Sequence, residues 1–159
     1  MNFLFLCTGN SCRSIMAEAL LKSMAPNGIS VQSAGSRPAG YVHPKALAVI
    51  REAGLSTEGL SSKSWDNLAG KPDIVITLCS DAAGEACPVY FGKVVRCHWG
   101  LPDPAKADGD EASVEAAFTT FAELHSRITQ LAEKLKKEPE MDVLRVQAVI
   151  NEIAAARKE

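Results

Sequence analysis

The sequence predicts an α/β fold, a four-stranded open parallel sheet with helices on both faces, followed by a C-terminal helical extension. Two observations predict it. Short apolar segments alternate along the chain with segments whose apolar residues recur at helical spacing, which is typical of βαβ units. The third short segment, residues 73–78, is strongly apolar, as expected of a strand covered on both faces of a parallel sheet.

Most of the predicted elements are bounded by residues that favour turns or helix ends. The predicted strands are residues 2–6, 29–34, 73–78 and 93–99. The predicted helices are residues 15–24, 43–53, 62–68, 80–86 and 114–135, and a last helix with its apolar face at residues 143–153. Ser62 is expected to cap the helix over residues 62–68, and Pro139 separates the last two helices.

Length and composition indicate one globular domain with its own core. Of the 159 residues, 47% are hydrophobic and 23% are charged, and a net charge of −2 favours neither nucleic acid nor an acidic membrane surface as a partner. No apolar run approaches the ~20 residues of a membrane span. The N-terminal apolar run lacks the basic residues and the length of a signal peptide, so we expect a cytoplasmic protein.

The positions of the cysteines limit the kinds of site that the chain can contain. They are Cys7, Cys12, Cys79, Cys87 and Cys97. Structural disulfides are rare in the cytoplasm, so these side chains are expected to be buried thiols, metal ligands or redox groups. No two of them form a Cys-x2-Cys pair, which makes a zinc site a poor fit.

The first strand leads directly into a cysteine, and an arginine follows six residues later, where a helix begins. Between Cys7 and Arg13 lies a polar loop with one glycine. Loop N–H groups, a helix N-terminus and a guanidinium fork together suit an oxyanion, and the same field would lower the pKa of Cys7 and favour its nucleophilic thiolate. The predicted oxyanion-binding residues are Thr8, Gly9, Asn10, Ser11, Cys12, Arg13 and Ser14.

The spacing of Cys7 and Arg13 is a weak signal by itself. A Cys-x5-Arg pair arises by chance in roughly one chain in five of this composition. The alternative is a buried cysteine at a strand end with a surface arginine. The strand–loop–helix context favours the anion site, where Ser14 can hold the Cys7 sulfur by a hydrogen bond.

Two further strands end near residues that can act on a bound oxyanion. Cys79 follows the third strand, and the fourth strand leads into Asp103, which lies between two prolines. Ligands bind at the carboxyl edge of an open parallel sheet, so both residues are expected near Cys7. Asp103 on this stiff loop is a candidate general acid, and the alternative is an ordinary turn aspartate.

The interval between Cys79 and Cys87 bears on how these thiols could react. If the intervening residues form a helix, eight residues put the two sulfurs ~12 Å apart, beyond the reach of a disulfide, so the helix would have to loosen before they bond. Their placement indicates a conformational relay through Cys7, Cys79 and Cys87, and the alternative is two buried thiols. Cys12 and Cys97 are expected to be packing residues.

We expect the histidines to have structural roles. His43 begins a helix and His125 lies on one. We expect His98 and Trp99 to support the loop of Asp103 by packing, with His98 as general acid the alternative. The apolar face of the last helix is expected to pack within the chain or against a second copy.

Several short motifs can be read together. They are Cys7-Thr8-Gly9-Asn10-Ser11-Cys12-Arg13-Ser14, Thr77-Leu78-Cys79-Ser80-Asp81, Cys87-Pro88, His98-Trp99-Gly100 and Asp103-Pro104. The chain thereby resembles the low-molecular-weight tyrosine phosphatase fold and, within it, the thioredoxin-coupled arsenate reductases. Phosphatases of this fold need neither Cys79 nor Cys87, and they usually carry a tyrosine after the Asp-Pro pair, where this chain has Ala105-Lys106.

The resemblance covers roughly residues 1–137 and implies one phosphatase-like arsenate reductase domain there. Residues 138–159 extend past the familiar fold as a helical extension of the same domain. This extension could form a dimer contact or a lid, and we leave open whether the protein is a monomer or a homodimer.

The resemblance also implies a mechanism. The Cys7 thiolate attacks arsenate held by the loop amides and Arg13, while Asp103 protonates the leaving hydroxide. Cys79 attacks the arseno-Cys7 adduct, arsenite leaves and a Cys7–Cys79 disulfide forms. Cys87 then attacks Cys79, which gives a Cys79–Cys87 disulfide and frees Cys7. Thioredoxin would reduce that disulfide, and no metal or organic cofactor takes part in the chemistry.

One departure from the family pattern concerns the electron donor. The Cys79–Cys87 interval is one residue longer than in the best-known thioredoxin-coupled members. A route through glutathione and glutaredoxin therefore stays open.

A second departure concerns potassium, which some relatives bind beside the loop. Asn10, Glu18 and Ser33 match that site. Lys63, however, stands where a carboxylate is expected. Because an ammonium group there could substitute for the ion, we expect activity that does not depend on potassium.

Arsenate reduction is thus the first hypothesis for the function. The second is hydrolysis of aryl phosphates by a low-molecular-weight protein tyrosine phosphatase, because arsenate and phosphate are alike in shape. The third is a non-catalytic module that binds anions or senses redox state.

Overall fold

The computed structural model describes residues 1–78, 94–101 and 110–156, together with their side chains except those of residues 110–114. The predicted helix over residues 80–86 lies outside the described residues, and so do Cys79, Cys87 and Asp103. The predicted anion loop and the ends of four strands lie within them.

Four parallel strands form one sheet, as predicted. They are β1 (Asn2–Leu6), β2 (Ser30–Ala34), β3 (Ile74–Thr77) and β4 (Val95–His98), in the order β2-β1-β3-β4. Leu6 at the end of β1 lies beside Ala34 of β2 and Thr77 of β3. Thr77 in turn lies beside His98 of β4. The strands therefore end level with one another, and the segments that follow them begin at one edge of the sheet.

Helices follow or connect the strands. They are α1 (Arg13–Met24), α2 (Pro44–Glu52), α3 (Asp110–Lys137) and α4 (Val143–Ala156). α1 begins two residues earlier than predicted, and α3 extends past both of its predicted ends. α2 opens with Pro44, and the Nδ1 atom of His43 caps it by accepting the Lys45 amide at 3.1 Å. None of the helices in the described ranges combines the length and hydropathy that a membrane span requires.

The predicted helix over residues 62–68 is wrong in both length and cap. The structure has one turn of 3-10 helix, Trp65–Asn67, and the Ser64 hydroxyl caps it by accepting a backbone N–H at 3.1 Å. The Ser62 hydroxyl instead donates to the Gly9 carbonyl at 3.3 Å. Competition from the neighbouring loop for this hydroxyl explains the difference.

Alternate residues of the central strands pack on opposite faces of the sheet. On one face, strand side chains join apolar residues of all four helices in the main core; these strand residues are Phe3, Phe5, Ile74 and Ile76. On the other face, a smaller cluster lies against the 3-10 turn and the residues around it; its members include Leu4, Leu6, Val75, Trp65 and Leu68. Both faces of the central strands are therefore covered, as the apolar pattern of β3 predicted.

The C-terminal helix packs onto the same domain. Its buried residues belong to the main core and are Val146, Val149, Ile150 and Ile153. The apolar face of α4 therefore packs within the chain, which was one of the two expectations for it.

Candidate active site

The loop after β1 turns sharply toward the start of α1. The Cys7 amide donates to the Ala34 carbonyl of β2 at 3.2 Å, and the Cys7 carbonyl accepts from the Asn10 amide at 3.1 Å. Asn10 has a φ of 42°, in the left-handed region that asparagine tolerates better than most residues. α1 begins at Arg13, so the positive end of its dipole lies at the end of this loop.

Residues 36–43 run along the outside of this loop, and we call them the backing segment. Its amides donate to loop carbonyls, Arg37 to Thr8 at 3.0 Å, Ala39 to Gly9 at 2.9 Å and His43 to Ser11 at 2.8 Å. The Ser62 hydroxyl adds to this support, since it donates to the Gly9 carbonyl and accepts from the Gly40 amide at 3.2 Å. The loop carbonyls are thus held toward the backing segment.

This support also sets the direction of the loop amides. Across a trans peptide the C=O and N–H point in opposite directions, and the described residues contain no cis peptide. With the Thr8 and Ser11 carbonyls held by the backing segment, the Gly9 and Cys12 amides face away from it. Backbone amides that point away from the backing segment beside a helix N-terminus suit an anion site.

Gly35 lies directly against the back of the loop. A Cβ atom on Gly35 would lie 2.3 Å from the Thr8 carbonyl oxygen and 2.5 Å from that of Cys7. The Gly35 amide donates to the Lys63 carbonyl at 3.0 Å, and the Gly35 carbonyl accepts from the Trp65 amide at 3.1 Å. Glycine at this position therefore allows the end of β2 to touch the loop after β1.

The Asn10 side chain is the polar centre of the loop and is fully buried. Its Oδ1 accepts from the Lys63 amide at 2.8 Å, and its Nδ2 donates to Ser14 Oγ at 2.8 Å. Because Ser14 accepts this bond, its own hydroxyl hydrogen points elsewhere. That orientation is compatible with the predicted hydrogen bond to the Cys7 sulfur.

A buried carboxylate lies behind the loop. Glu18 is 2% exposed, and its Oε1 accepts from the Ser33 hydroxyl at 2.5 Å. The Lys22 ammonium lies 2.5 Å from Glu18 Oε2, and the Lys63 ammonium lies 3.8 Å from Oε1. Two ammonium groups thus face the carboxylate that the family resemblance assigns to potassium. Both would repel a further cation, so these residues do not fit a potassium site.

The Arg13 guanidinium is held from the side of β3 and β4. It is buried, and its Nη1 donates to the Leu101 carbonyl at 2.8 Å. The Leu101 amide donates to the Leu78 carbonyl at 3.0 Å, and the Leu78 amide donates to the Leu6 carbonyl at 3.0 Å. The segments that leave β1, β3 and β4 are therefore tied together by a line of backbone hydrogen bonds.

This line of hydrogen bonds relates the predicted reactive residues to one another. Cys7 follows Leu6, Cys79 follows Leu78, and Asp103 comes two residues after Leu101. The structure thus places residues 7–14 in the loop after β1 and the first residues of α1, and it puts the residue before Cys79 at the same edge. The positions of Cys79, Cys87 and Asp103 themselves stay predictions.

Cys12, Cys97 and Trp99 are buried, as predicted for packing residues. Burial raises the pKa of the Cys97 thiol to about 11, so this thiol stays protonated at neutral pH. The exposed His98 ring places Nδ1 2.7 Å from Thr77 Oγ1. Its Nε2 lies 2.8 Å from where a Cβ of Gly100 would be. The His98 ring thus lies over the Gly100 backbone, and its predicted support of the loop of Asp103 stays a prediction.

Three residues that shape the site were missed in the sequence. Gly35 carried a signal, because a glycine directly after a strand often marks a close backbone approach. Ser62 was read as a helix cap rather than as a partner of the loop. Leu101 carried no signal at all, because only its backbone takes part and any residue has a carbonyl.

Comparison with known proteins identifies the family. The protein-family model of the low molecular weight phosphotyrosine protein phosphatases matches residues 2–141. An arsenate reductase of Bacillus licheniformis is 44% identical over 131 residues, which cover 81% of this chain and 93% of that protein. An arsenate reductase of Bacillus subtilis is 40% identical over 131 residues, with the same coverage of 81% and 93%.

Solved structures share the fold. An arsenate reductase in the phosphate binding state has a TM-score of 0.69 at 32% identity, with 84% of this chain and 97% of that chain covered. A thioredoxin-dependent arsenate reductase of Corynebacterium glutamicum has a TM-score of 0.63 at 28% identity, with 86% and 62% covered. An arginine phosphatase has a TM-score of 0.67 at 28% identity, with 87% and 97% covered. This chain therefore belongs to the low-molecular-weight phosphotyrosine protein phosphatase family, and its relatives there include arsenate reductases.

Proposed function

We propose that this chain reduces arsenate to arsenite through a thiol–disulfide relay of Cys7, Cys79 and Cys87. The observation that carries the proposal is the hydrogen bond from the Leu78 amide to the Leu6 carbonyl, because these residues directly precede Cys79 and Cys7. The register pairs Leu6 with Thr77, so the chain that leads into Cys79 runs beside the chain that leads into Cys7 at the ~4.8 Å spacing of neighbouring strands, with Cys79 one residue later. The arsenate reductases at 44% and 40% identity support the same chemistry.

The first step binds arsenate in the nucleophile loop. The Gly9 and Cys12 amides, the Arg13 fork and the N-terminus of α1 stabilise the negative charge of the oxyanion. The Cys7 thiolate then forms an S–As bond. The displaced hydroxide takes a proton from Asp103 and leaves as water, so arsenic remains in the +5 state.

The second step carries the redox change. The Cys79 thiolate attacks the Cys7 sulfur, and the electron pair of the S–As bond passes to arsenic, which leaves as arsenite in the +3 state. The two sulfurs are oxidised to a disulfide. Cys87 then attacks Cys79, which releases Cys7 as a thiolate and leaves a Cys79–Cys87 disulfide. Each turnover therefore requires two electrons from an external reductant.

We propose thioredoxin as that reductant. The dithiol of thioredoxin can attack the Cys79–Cys87 disulfide and take up the oxidising equivalent. One structural relative is a thioredoxin-dependent arsenate reductase, which supports this choice. Glutathione with glutaredoxin is the alternative. We expect faster turnover in a purified system with thioredoxin, thioredoxin reductase and NADPH than in one with glutathione and glutaredoxin.

Hydrolysis of phosphate esters is the second candidate function. The family model is that of a phosphatase, and an arginine phosphatase shares the fold. Phosphate has the shape and charge of arsenate, so the same loop would bind it. Cys7, Arg13 and Asp103 would suffice for this reaction, whereas Cys79 and Cys87 would have no part in it.

The Cys79→Ser variant separates the two functions. We expect it to abolish arsenate turnover with thioredoxin and to leave the hydrolysis of p-nitrophenyl phosphate near the wild-type rate, because only the relay needs a second thiol. Cys97→Ala is the matched control, since it removes a buried thiol outside the relay and should spare both reactions. Arsenate turnover that survives in Cys79→Ser, or equal loss of both activities, would overturn the proposal.

A further inference from the structure

The C-terminal helix α4 lies beyond the part of the chain that the family model matches. The family model ends at residue 141, and α4 begins at Val143. α4 packs against β4, the last strand in the sheet order, and Gln147 Nε2 donates to the Arg96 carbonyl of that strand at 3.3 Å. An edge strand needs such cover because one side of it has no neighbouring strand.

Trp99 joins α4 to the sheet. Its amide donates to the Thr77 carbonyl of β3 at 2.8 Å, and its indole Nε1 donates to the Ile150 carbonyl of α4 at 3.1 Å. The side chain is fully buried, and the guanidinium carbon of Arg127 on α3 lies 5.8 Å from the centre of its ring. The indole is therefore fixed by β3, α3 and α4 together.

The same short segment holds the oxyanion-binding arginine. Leu101 is two residues after Trp99, and its carbonyl accepts from Arg13 Nη1 at 2.8 Å. The segment 99–101 is fixed to β3 by the bond of the Trp99 amide and to Leu78 by that of the Leu101 amide. A shift of the indole is thus passed through two peptide units to the atom that orients the Arg13 fork.

We propose that α4 is a positioning element of the oxyanion site and that Trp99 is the positioning residue through which it acts. α4 holds the indole, the indole holds the segment 99–101, and the Leu101 carbonyl sets the plane of the Arg13 guanidinium. The role concerns oxyanion binding, so it holds whether the bound anion is reduced or hydrolysed.

The chemistry of Arg13 makes its orientation important. A guanidinium offers two parallel N–H groups to an oxyanion, and this bidentate geometry fails when the plane of the fork tilts. A misplacement of ~1 Å at a reacting group can cost as much as ~10²-fold in rate. We expect a smaller tilt of the Arg13 guanidinium to cause a smaller loss of oxyanion affinity, in a protein that is still folded.

Two variants of the full-length protein test the proposal against a merely structural role of α4. Trp99→Phe keeps an aromatic ring and removes the N–H that Ile150 accepts. Gln147→Leu removes the bond from α4 to the Arg96 carbonyl of β4, which lies away from Leu101. The probe is inorganic phosphate, and the readouts are its dissociation constant by calorimetry and the midpoint of thermal unfolding.

We expect Trp99→Phe to raise the dissociation constant of phosphate about tenfold, because the fork of Arg13 loses its alignment. We expect Gln147→Leu to lower the unfolding midpoint while its phosphate affinity stays near that of the wild type. An unchanged affinity in Trp99→Phe, or an equal loss in both variants, would overturn the proposal. Should Trp99→Phe fail to fold, Arg127→Met removes the guanidinium that lies over the indole ring while α4 keeps all of its residues, and it must then weaken phosphate binding or the proposal fails.

Discussion

The loop of residues 7–14 is supported from two sides, and the two supports are built differently. On the side of β2, the backing segment holds the loop through backbone hydrogen bonds, so most of its side chains are free to vary. On the side of β3 and β4, the support reaches the loop through particular side chains, the Arg13 guanidinium and the Trp99 indole. The first side therefore fixes the backbone of the loop, and the second side fixes the guanidinium of Arg13.

Gly35→Ala should break the first support most severely. An added Cβ would lie 2.3 Å from the Thr8 carbonyl oxygen, so the loop must move. We expect phosphate-ester hydrolysis and arsenate turnover to fall by about 10²-fold or more, because the amides would no longer converge on the oxyanion. Steady-state rates with both substrates measure the effect.

Gly70→Ala is the control for this substitution. A Cβ on Gly70 would have its nearest contact at 3.9 Å, with the Asn2 side chain. It should leave both activities unchanged. Near-wild-type rates in Gly35→Ala would show that the close approach of β2 to the loop has no functional role.

Asn10→Gly should remove the buried side-chain hydrogen bonds of the loop without straining the backbone. It removes the bonds to the Lys63 amide and to Ser14. Since buried groups would lose their partners, we expect the free energy of unfolding in urea to fall by about 1–3 kcal/mol. Asn10→Ala should lose roughly 1–2 kcal/mol more, because alanine disfavours the left-handed backbone. Equal stability of the two variants would show that this backbone strain is unimportant.

The effect of potassium on activity and stability tests the role of the charged side chains around Glu18. With the Lys63 and Lys22 ammonium groups facing Glu18, we expect the activity and the unfolding midpoint to be the same in potassium chloride and sodium chloride at equal ionic strength. A double variant, Lys63→Asn with Lys22→Ala, removes both ammonium groups, so potassium should raise the unfolding midpoint of this variant by mass action. Wild-type activity that rises strongly with potassium would contradict the prediction.

Substitution of Cys97 is expected to have the smallest effect, because Cys97 lies in β4 and takes no part in the proposed reaction. Burial raises its pKa to about 11 from 9.0, so the unfolded chain loses this proton first as pH rises. The protonated thiol therefore contributes stability that is complete below pH 9 and is lost as pH approaches 11. Cys97→Ala should flatten the decline of the unfolding free energy across that window. An equally steep decline in both proteins would contradict the assignment.

Much of this architecture could be predicted from local sequence patterns. The strands agree with their predicted bounds within about two residues, because alternating or wholly apolar runs between turn residues define them. The loop between β1 and α1 was also predictable, since a polar turn with one glycine separates an apolar strand from a helical pattern. Helix ends were less certain. The short helix over residues 62–68 failed, because its serine bonds to a loop that is distant in sequence.

The supports of the site could not be predicted in the same way. The backing segment and Leu101 act through backbone amides and carbonyls, which all residues except proline possess, so the amino-acid types at these positions give no signal of the contacts. The indole of Trp99 is visible in the sequence, but its partner is the Ile150 carbonyl, 51 positions away. Such contacts follow from the level ends of the strands and from the docking of α4, which are properties of the whole fold.

The relay itself is tested most directly by mapping thiols after a single turnover. The wild-type protein is mixed with one equivalent of arsenate without reductant, alkylated, and digested for mass spectrometry. The account predicts that two thiols disappear, that the bond lies between Cys79 and Cys87, and that Cys7 is recovered as a free, alkylated thiol. Recovery of all five thiols, or a final bond that includes Cys12 or Cys97, would contradict it.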